Sequence, residues 1–377
     1  MSSAPDIAVL LDHFGSGGVE RVACHVANGL AARGWRVEMV VLEDAGPARS
    51  LLSDKVSVNR LPGDWSRSRG HRMRGAVPAI ASYLKTRSPR LFHSPGNHIT
   101  RPAAAAVALA GFKGPFIVKV TNPLVGDRAS WWQRKWRRLS FRQALLRADL
   151  VLVLSEASVE DVAAIDPALR PRIRVIHNPY ISDAMIGAAA GRKPATPPVI
   201  LSVGRLSEQK NQALLLRAAV RLHGREWRVR LCGTGPEELA LRTLAEELGI
   251  SERVEFAGFV PDPTHEYLAA TVLALSSQWE GLPATAVEAI ACACPVVATA
   301  SSPALTELLR EAGARDPIAQ GDEAGLARAL EEALDGRLPI VSPAAALPYS
   351  IEASLEEHAE VFTPFLRGCV QGEELVG

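Results

Sequence analysis

DIAVLLDHFGSGGVERVACHVANGLAARGWRVEMVVLED, residues 6–44, is the stretch on which the fold turns. IAVLL is a short apolar run, long enough for a buried strand and too short for a buried helix. HFGSGG makes a turn. Val19, Val22, Ala23, Val26, Ala27 and Leu30 then recur at steps of three and four, which places them on one face of a helix. Gly34 stops that helix, and WRVEMVVL is the next strand. The unit is βαβ, and a helical crossover of this length makes its two strands parallel.

The same alternation continues outward. LFHS (91–94), an alanine-rich helix from 101, FIVKV (116–120), a basic helix from about 130 to 147, DLVLVLS (149–155), a short helix and RIRVIHN (172–178) complete one series. ISDAMIGAAAGRKPATPP (181–198) is small, Gly/Ala/Pro-rich and aperiodic, and reads as a linker. A second series starts at VILSVG (199–204). It runs through a helix at 211–223, WRVRLCG, a helix at 236–248, RVEFAGF, a helix near 263–270, TVLALSS, a helix around Glu288, and PVVAT. The expected class is α/β with two parallel-sheet domains in tandem: residues 1–183, a linker at 184–198, residues 199–349, and a helical tail at 350–377. Ligands in such sheets bind at the carboxyl ends of the strands.

Bulk properties agree with this organisation. The 377 residues exceed one ordinary core, and 47% hydrophobic with 22% charged content is that of a globular chain. No apolar run approaches the roughly 18 residues of a membrane helix. The first residues, MSSAPDIAVLLDHF, lack a basic segment and a cleavage signal, so a mature, cytoplasmic protein is expected. The five cysteines (Cys24, Cys232, Cys292, Cys294 and Cys369) form no CxxC, and the pair flanking Ala293 reads as two small core residues in a helix-like stretch. The net charge of +1 hides an asymmetry. Residues 1–190 hold 26 Lys/Arg against 15 Asp/Glu, and residues 191–377 hold 16 against 26. Opposite halves point to different partners, or to halves that attract each other.

Four strand-end stretches carry chemistry. In SSQWEGLPATAVEAIACACPVVATASS (276–302), Glu280 falls in a loop, Pro283 suits a helix start, and Glu288 lies inside the helix. The free amides at Ala284 and Thr285 suit an anion, whereas two carboxylates at most about 12 Å apart suit hydroxyls at the two ends of a sugar nucleotide. The competing reading is a turn carboxylate and an exposed helical one. In SVGRLSEQKNQALLLRA (202–218), Arg205 and Lys210 follow a strand ending at Gly204, and both suit a diphosphate; two solvated loop cations are the alternative. Gly233 and Gly235 of CGTGPEE allow close backbone approach to a ligand, and AGFVPD (257–262) is a further strand-end loop. GSGG (15–18) resembles a dinucleotide fingerprint with Glu20 in place of the last glycine, and Glu43 could take a ribose, so nicotinamide binding is a rival reading.

Metal chemistry finds no motif: there is no DxD and no HExxH. His93 and His98 share FHSPGNHIT, a loop that could meet a substrate or simply be polar surface. WWQRKWRRLSFRQALLR (131–147) sets Trp131, Trp132 and Trp136 among Arg134, Lys135, Arg137 and Arg138, a composition that favours a membrane surface over a plain solvated face or a nucleic-acid patch. SRSRGHRMRG (66–75) adds four arginines.

Taken together, EGLPATAVEAIACACPVVAT, GRLSEQKN, CGTGPEELALRTLAEELGISERVEFAGFV and FGSGGVERVACHVANGLAARGWRV resemble the signatures of retaining glycosyltransferases of family 4, which have the GT-B fold. The resemblance spans nearly the whole chain and is most specific over 199–310. It implies two Rossmann-like domains facing a central cleft, with a C-terminal helix returning to the N-terminal, acceptor-binding domain. It also implies roles: Glu280 on the donor sugar, Glu288 on the ribose, Arg205 and Lys210 on the diphosphate, and the backbone around Val260 on the base. Gly17, Gly18, Gly204, Gly233, Gly235, Gly281, Leu282, Pro283, Ala284 and Thr285 then line the donor. Asn97, His98, Thr121, Asn122 and Ser155 are acceptor-side expectations, and Asn178-Pro179 closes the first domain. The implied partners are a nucleotide sugar and a saccharide or lipid-linked saccharide, with no nucleic acid and no metal. Departures are Ala293 where the family has glycine, Thr121-Asn122 where it has a histidine, and SSPALTELL, which leaves Glu307 without a clear counterpart. Beside an NAD-dependent oxidoreductase, a non-catalytic nucleotide-sugar binder and a GT-B epimerase are the other functional alternatives.

Overall fold

The computed structural model describes residues 4–15, 17–66, 68–124 and 130–367. Cys369 and Arg67 lie outside them. The first sheet contains β1 (Ile7–Leu11), β2 (Val37–Val41), β3 (Ser57–Arg60), β4 (Leu91–Ser94), β5 (Phe116–Lys119), β6 (Leu150–Val153) and β7 (Ile173–Val175). The second contains β8 (Val199–Val203), β9 (Arg228–Cys232), β10 (Val254–Gly258), β11 (Val272–Leu275) and β12 (Val296–Ala298). Helices α1 (Gly18–Ala32), α2 (Arg69–Arg87), α3 (Asn97–Ala110), α4 (Trp131–Leu145), α5 (Glu156–Ala163) and α6 (Asp183–Ala188) accompany the first seven strands and the connection that follows. Then come α7 (Gln212–Val220), α8 (Glu238–Glu247), α9 (Thr264–Ala269), α10 (Ala284–Ala291), α11 (Pro303–Glu311), α12 (Glu323–Leu334) and α13 (Ile351–Arg367).

All pairings are parallel. The strand orders are β3-β2-β1-β4-β5-β6-β7 and β10-β9-β8-β11-β12. In each sheet the order reverses once, at β1/β4 and at β8/β11, and a reversal opens a crevice at the carboxyl ends of the two strands. β1 and β2 are buried along their whole length, because helices cover both faces of a parallel sheet. Phe92 and Phe116 stack at 5.6 Å in the first core, and Trp227, Leu215 and Leu330 fill the second.

The chain divides into two compact units, residues 1–179 with 352–377, and residues 180–351. The stretch expected to be a linker thus belongs to the second unit, where Ser182 caps α6 by accepting from the Met185 amide at 3.3 Å. Helix α2 was not foreseen: its first turns carry Arg and His rather than an apolar stripe. Helix α3 starts at Asn97, ahead of the expected 101, and carries Pro102 within it.

Cys292 and Cys294 lie not within a helix but in the turn that closes α10. Cys294 N donates to Ala289 O at 2.8 Å and Ala293 N to Ile290 O at 2.9 Å, with Ala293 at φ 54°. This is a Schellman closure whose left-handed position holds alanine, at a cost of roughly 1–2 kcal/mol relative to a relaxed backbone. Both thiols are buried, and burial pushes Cys292 up to about 12 and Cys294 up to about 11.

Helix α13 closes the first unit over a buried polar cluster. Lys119 Nζ donates to Asn178 Oδ1 and lies 3.2 Å from His358 Nε2, while Ser354 Oγ donates to His177 O at 2.7 Å and His177 Nδ1 meets Glu357 at 3.1 Å. His93, expected in a loop, instead sits inside β4, 3% exposed, against Ile117 O and the Phe362 ring. Burial, with help from the Lys119 charge, depresses His93 from 6.5 to about 3, and burial lowers Lys119 from 10.5 to about 7 against the pull of Glu357. His358 is pushed well down for the same reason as His93.

Below about 6.5 the unfolded histidines bind protons that the folded ones refuse, so stability falls as pH drops from about 6.5 toward 3. Lys119 acts in the same direction higher up: stability rises as pH climbs from about 7 to 10.5. The melting temperature should therefore climb with pH through the acid range, and His93→Asn should flatten that limb. An equally steep limb in the variant would refute the assignment.

Candidate active site

In the second unit the carboxyl ends of five strands set the chemistry in a row. From β10 to β12 they present Val260, Gly233–Gly235, Arg205 with Lys210, Glu280, and Ser301–Ser302. The two loops at the β8/β11 reversal are laced together. Gln278 N donates to Gln209 O at 2.8 Å, Gln209 Nε2 to Trp279 O at 2.9 Å, and Ser276 Oγ to Lys210 O at 3.0 Å. Across them Lys210 Nζ meets Glu280 Oε1 at 2.6 Å, with Gln209 Nε2 at 3.5 Å from the other oxygen. Glu280 is 7% exposed, and its own amide is held by Ser301 O at 3.0 Å. The loop carboxylate is thus a buried, fixed group, not a solvated turn residue.

Glu288 is also buried, at 4% exposure, so the exposed-helix alternative is excluded. Tyr267, fully buried on α9, donates its hydroxyl to Glu288 Oε2 at 2.7 Å. Burial beside that carboxylate raises the phenol well above its ordinary value, so the proton stays on Tyr267 and one Glu288 oxygen is permanently occupied. No spacing in the sequence pointed to Tyr267.

Two buried hydroxyls in this region, Thr285 Oγ1 and Ser301 Oγ, have no partner. Thr285 lies in the first turn of α10, beside amides that an anion would satisfy. Arg205 is exposed, and its guanidinium forms no ion pair among the described residues. Gly281 O accepts from Ser302 Oγ, and Leu282 O from Tyr180 at 3.2 Å, which fixes the turn into α10. Ala284 begins the helix, and Pro283 precedes it as its cap, one position earlier than expected.

Gly204 and Gly233 have φ of 144° and 149°, and a Cβ on Gly233 would lie 1.9 Å from Gly204 O. One on Gly235 would lie 2.1 Å from Leu206 O. These glycines first of all let the β8 and β9 loops touch.

In the first unit Gly17 caps α1 and Gly18 opens it, both exposed; Ser16 is not among the described residues. Asn97 accepts from Thr121 N at 2.8 Å and donates to Asn122 O at 2.7 Å, so these three residues clamp the β4 and β5 ends to each other. Ser155 caps α5, accepting from Ser158 N at 3.2 Å. His98 is half-buried in the first turn of α3. Of the four arginines in 66–75, Arg72 is committed to Asp12 and Glu43, so Glu43 faces a guanidinium. No group of three or more His, Cys, Asp or Glu side chains among the described residues is arranged to hold a metal ion.

The fold is similar to that of solved structures that include a galactosyltransferase. The apo lipopolysaccharide outer core galactosyltransferase WaaB superposes with a TM-score of 0.70 at 20% identity, over 95% of this chain and 99% of that one. Anabaena Alr3699/HepE, in complex with UDP and glucose, gives 0.73 at 21% identity over 95% and 99%. The Glycosyl transferase 4-like domain matches residues 17–179, and Glycosyl transferases group 1 matches residues 188–344. The lipopolysaccharide core biosynthesis glycosyltransferase LpsE of Rhizobium meliloti is 30% identical over 326 residues, 85% of this chain and 86% of that protein. A Campylobacter jejuni N-acetylgalactosaminyltransferase named for a diphospho-undecaprenol substrate is 32% identical over 154 residues, 41% of this chain and 42% of that one. The chain belongs to the group 1 glycosyltransferases and is a glycosyltransferase of GT-B fold. That membership decides against the nicotinamide reading of the GSGG turn.

Proposed function

We propose that this enzyme moves a hexose or N-acetylhexosamine, with retention of configuration, from a nucleotide-diphosphate sugar to a lipid-linked saccharide in polysaccharide or glycoconjugate synthesis. The observation that carries the donor assignment is the ion pair between half-buried Lys210 and buried Glu280, in the unit that also holds the unpartnered hydroxyls of Thr285 and Ser301. A lysine at 2.6 Å from a carboxylate is a cation already in place, and a diphosphate is the ligand that would draw it away. Released, Glu280 accepts from the sugar hydroxyls. Arg205, Lys210 and the α10 start then neutralise the leaving diphosphate without a metal ion. The acceptor oxygen bonds to the anomeric carbon as the bond to the diphosphate oxygen breaks, and the hydroxyl proton passes to that leaving oxygen. Glu288, oriented by the Tyr267 hydroxyl, is the carboxylate assigned to the ribose.

The Anabaena neighbour's bound UDP supports a uridine donor, and the names of the Rhizobium and Campylobacter relatives support a lipopolysaccharide or lipid-diphosphate acceptor. Such an acceptor would be met at the cytoplasmic face of a membrane. A thermal-shift screen over UDP-, GDP- and ADP-sugars should single out a UDP-sugar, and transfer from it should survive EDTA. A strict Mg²⁺ requirement, or no shift with any nucleotide sugar, would overturn the reading.

A further inference from the structure

The first unit displays a surface that its own fold does not use. Every residue from Trp131 to Leu139 is exposed, and α4 touches its domain through Phe141, Ala144 and Leu145. Trp131, Trp132 and Trp136 are 61%, 56% and 68% exposed. At about 100° per residue, Trp132, Trp136 and Leu139 fall on one stripe, opposite the three buried residues. Trp131 and Lys135 border the stripe on one side, and Arg137 lies on the other side, nearer the buried face. No acid occurs from 131 to 147.

An amphipathic helix in a globular protein turns its apolar stripe inward; here the indoles point outward, and the inward contact is made by the second half of the helix alone. Trp131 and Trp132 stack on each other, and Lys135 Nζ lies 6.0 Å from the Trp132 ring centroid, so the aromatic surface is organised rather than splayed. The helix is anchored as a rigid body: a Ser130–Gln133 capping box closes its start, Arg138 donates to Ala164 O, and Arg142 pairs with Asp166 at 2.7 Å. Connectivity places its first turns at the carboxyl edge of the sheet, since α4 follows β5 and returns to β6. That is the edge at which a parallel sheet binds its ligands.

We infer that this face of α4 docks on an anionic lipid bilayer, with the three indoles at headgroup level and the flanking cations against lipid phosphates. Indoles prefer the interface, where an apolar ring and a polar N–H are both accommodated, and cations beside them favour acidic headgroups. A protein partner would need acidic surface to match the exposed cations of α4, whereas an anionic bilayer supplies it everywhere. The consequence for the reaction is that the sheet edge facing the acceptor also faces the lipid.

The inference is tested without sugar transfer, so its failure is separable from failure of the proposed reaction. The full chain is floated with phosphatidylcholine vesicles and with vesicles containing phosphatidylglycerol. It should float with the anionic vesicles and not the neutral ones, with a blue shift of tryptophan emission. Each cation near such a surface is worth about fivefold in partition, so Lys135→Glu with Arg137→Glu should lower binding at least tenfold. Trp131→Ser, Trp132→Ser and Trp136→Ser together should abolish the blue shift while thermal melts stay unchanged, since all three rings are exposed. Equal flotation of both variants and wild type, absence of wild-type flotation, or retention of wild type on single-stranded RNA without vesicle binding would each overturn it.

Discussion

Replacing Lys210 with alanine should lower sugar transfer at least about a hundredfold, the scale on which loss of one preorganised charge acts on a developing anion. Glu280→Ala should cost a comparable amount for a different reason: in the proposed reaction the sugar would lose the carboxylate that accepts its hydroxyls. The two residues form one unit at 2.6 Å, so the double variant should lose less than the product of the single losses. Each single change also strands a partly buried charge, which costs about 1–3 kcal/mol of stability. Thermal melts on the same samples separate that effect from catalysis, and Glu280→Gln, which keeps an acceptor for the lysine, should recover stability more than rate. Folded Lys210→Ala retaining a tenth or more of wild-type kcat/KM would remove Lys210 from the mechanism.

Gly233→Ala should be among the most damaging single substitutions in the chain. Its Cβ would sit 1.9 Å from the Gly204 carbonyl oxygen, a backbone atom that cannot swing aside, and its φ of 149° is outside the range alanine tolerates. Overpacking and backbone strain each cost about 1–3 kcal/mol, so the sum is about 2–6 kcal/mol. Gly191→Ala is the matched control, because nothing lies within 4 Å of its added Cβ and its φ is not positive. A melting temperature for Gly233→Ala within a degree of the control would show that the β8 and β9 loops can separate freely. Because these loops border Lys210, milder substitutions there should also loosen donor binding.

The alternation of strands and helices was open to reading because parallel strands buried on both faces are short, unbroken apolar runs. IAVLL, FIVKV and TVLALSS each announce themselves. Helix α2 was hidden because its opening residues are cations, and its packing against α3 is a tertiary fact. Glu280 and Lys210 were individually identifiable from their strand-end positions. Their pairing was not, since they are 70 residues apart and meet only because β8 and β11 are neighbours. Tyr267 and Ser301 escaped notice for the same reason. His93 was misplaced because one loop-like phrase, FHSPGNHIT, contains both a strand end and a helix start, and only the fold decides which histidine goes inward.

Helix α13 shares its unit with residues 1–179, while residues 180–351 form theirs from one continuous stretch. During synthesis the later-encoded globule has everything it needs once residue 351 has left the ribosome. The earlier one must wait with Lys119, His93 and the Phe362 socket uncovered until the last helix arrives. The amino-terminal part of this enzyme is therefore the last to be finished, and it is the part that a nascent-chain chaperone would have most reason to guard.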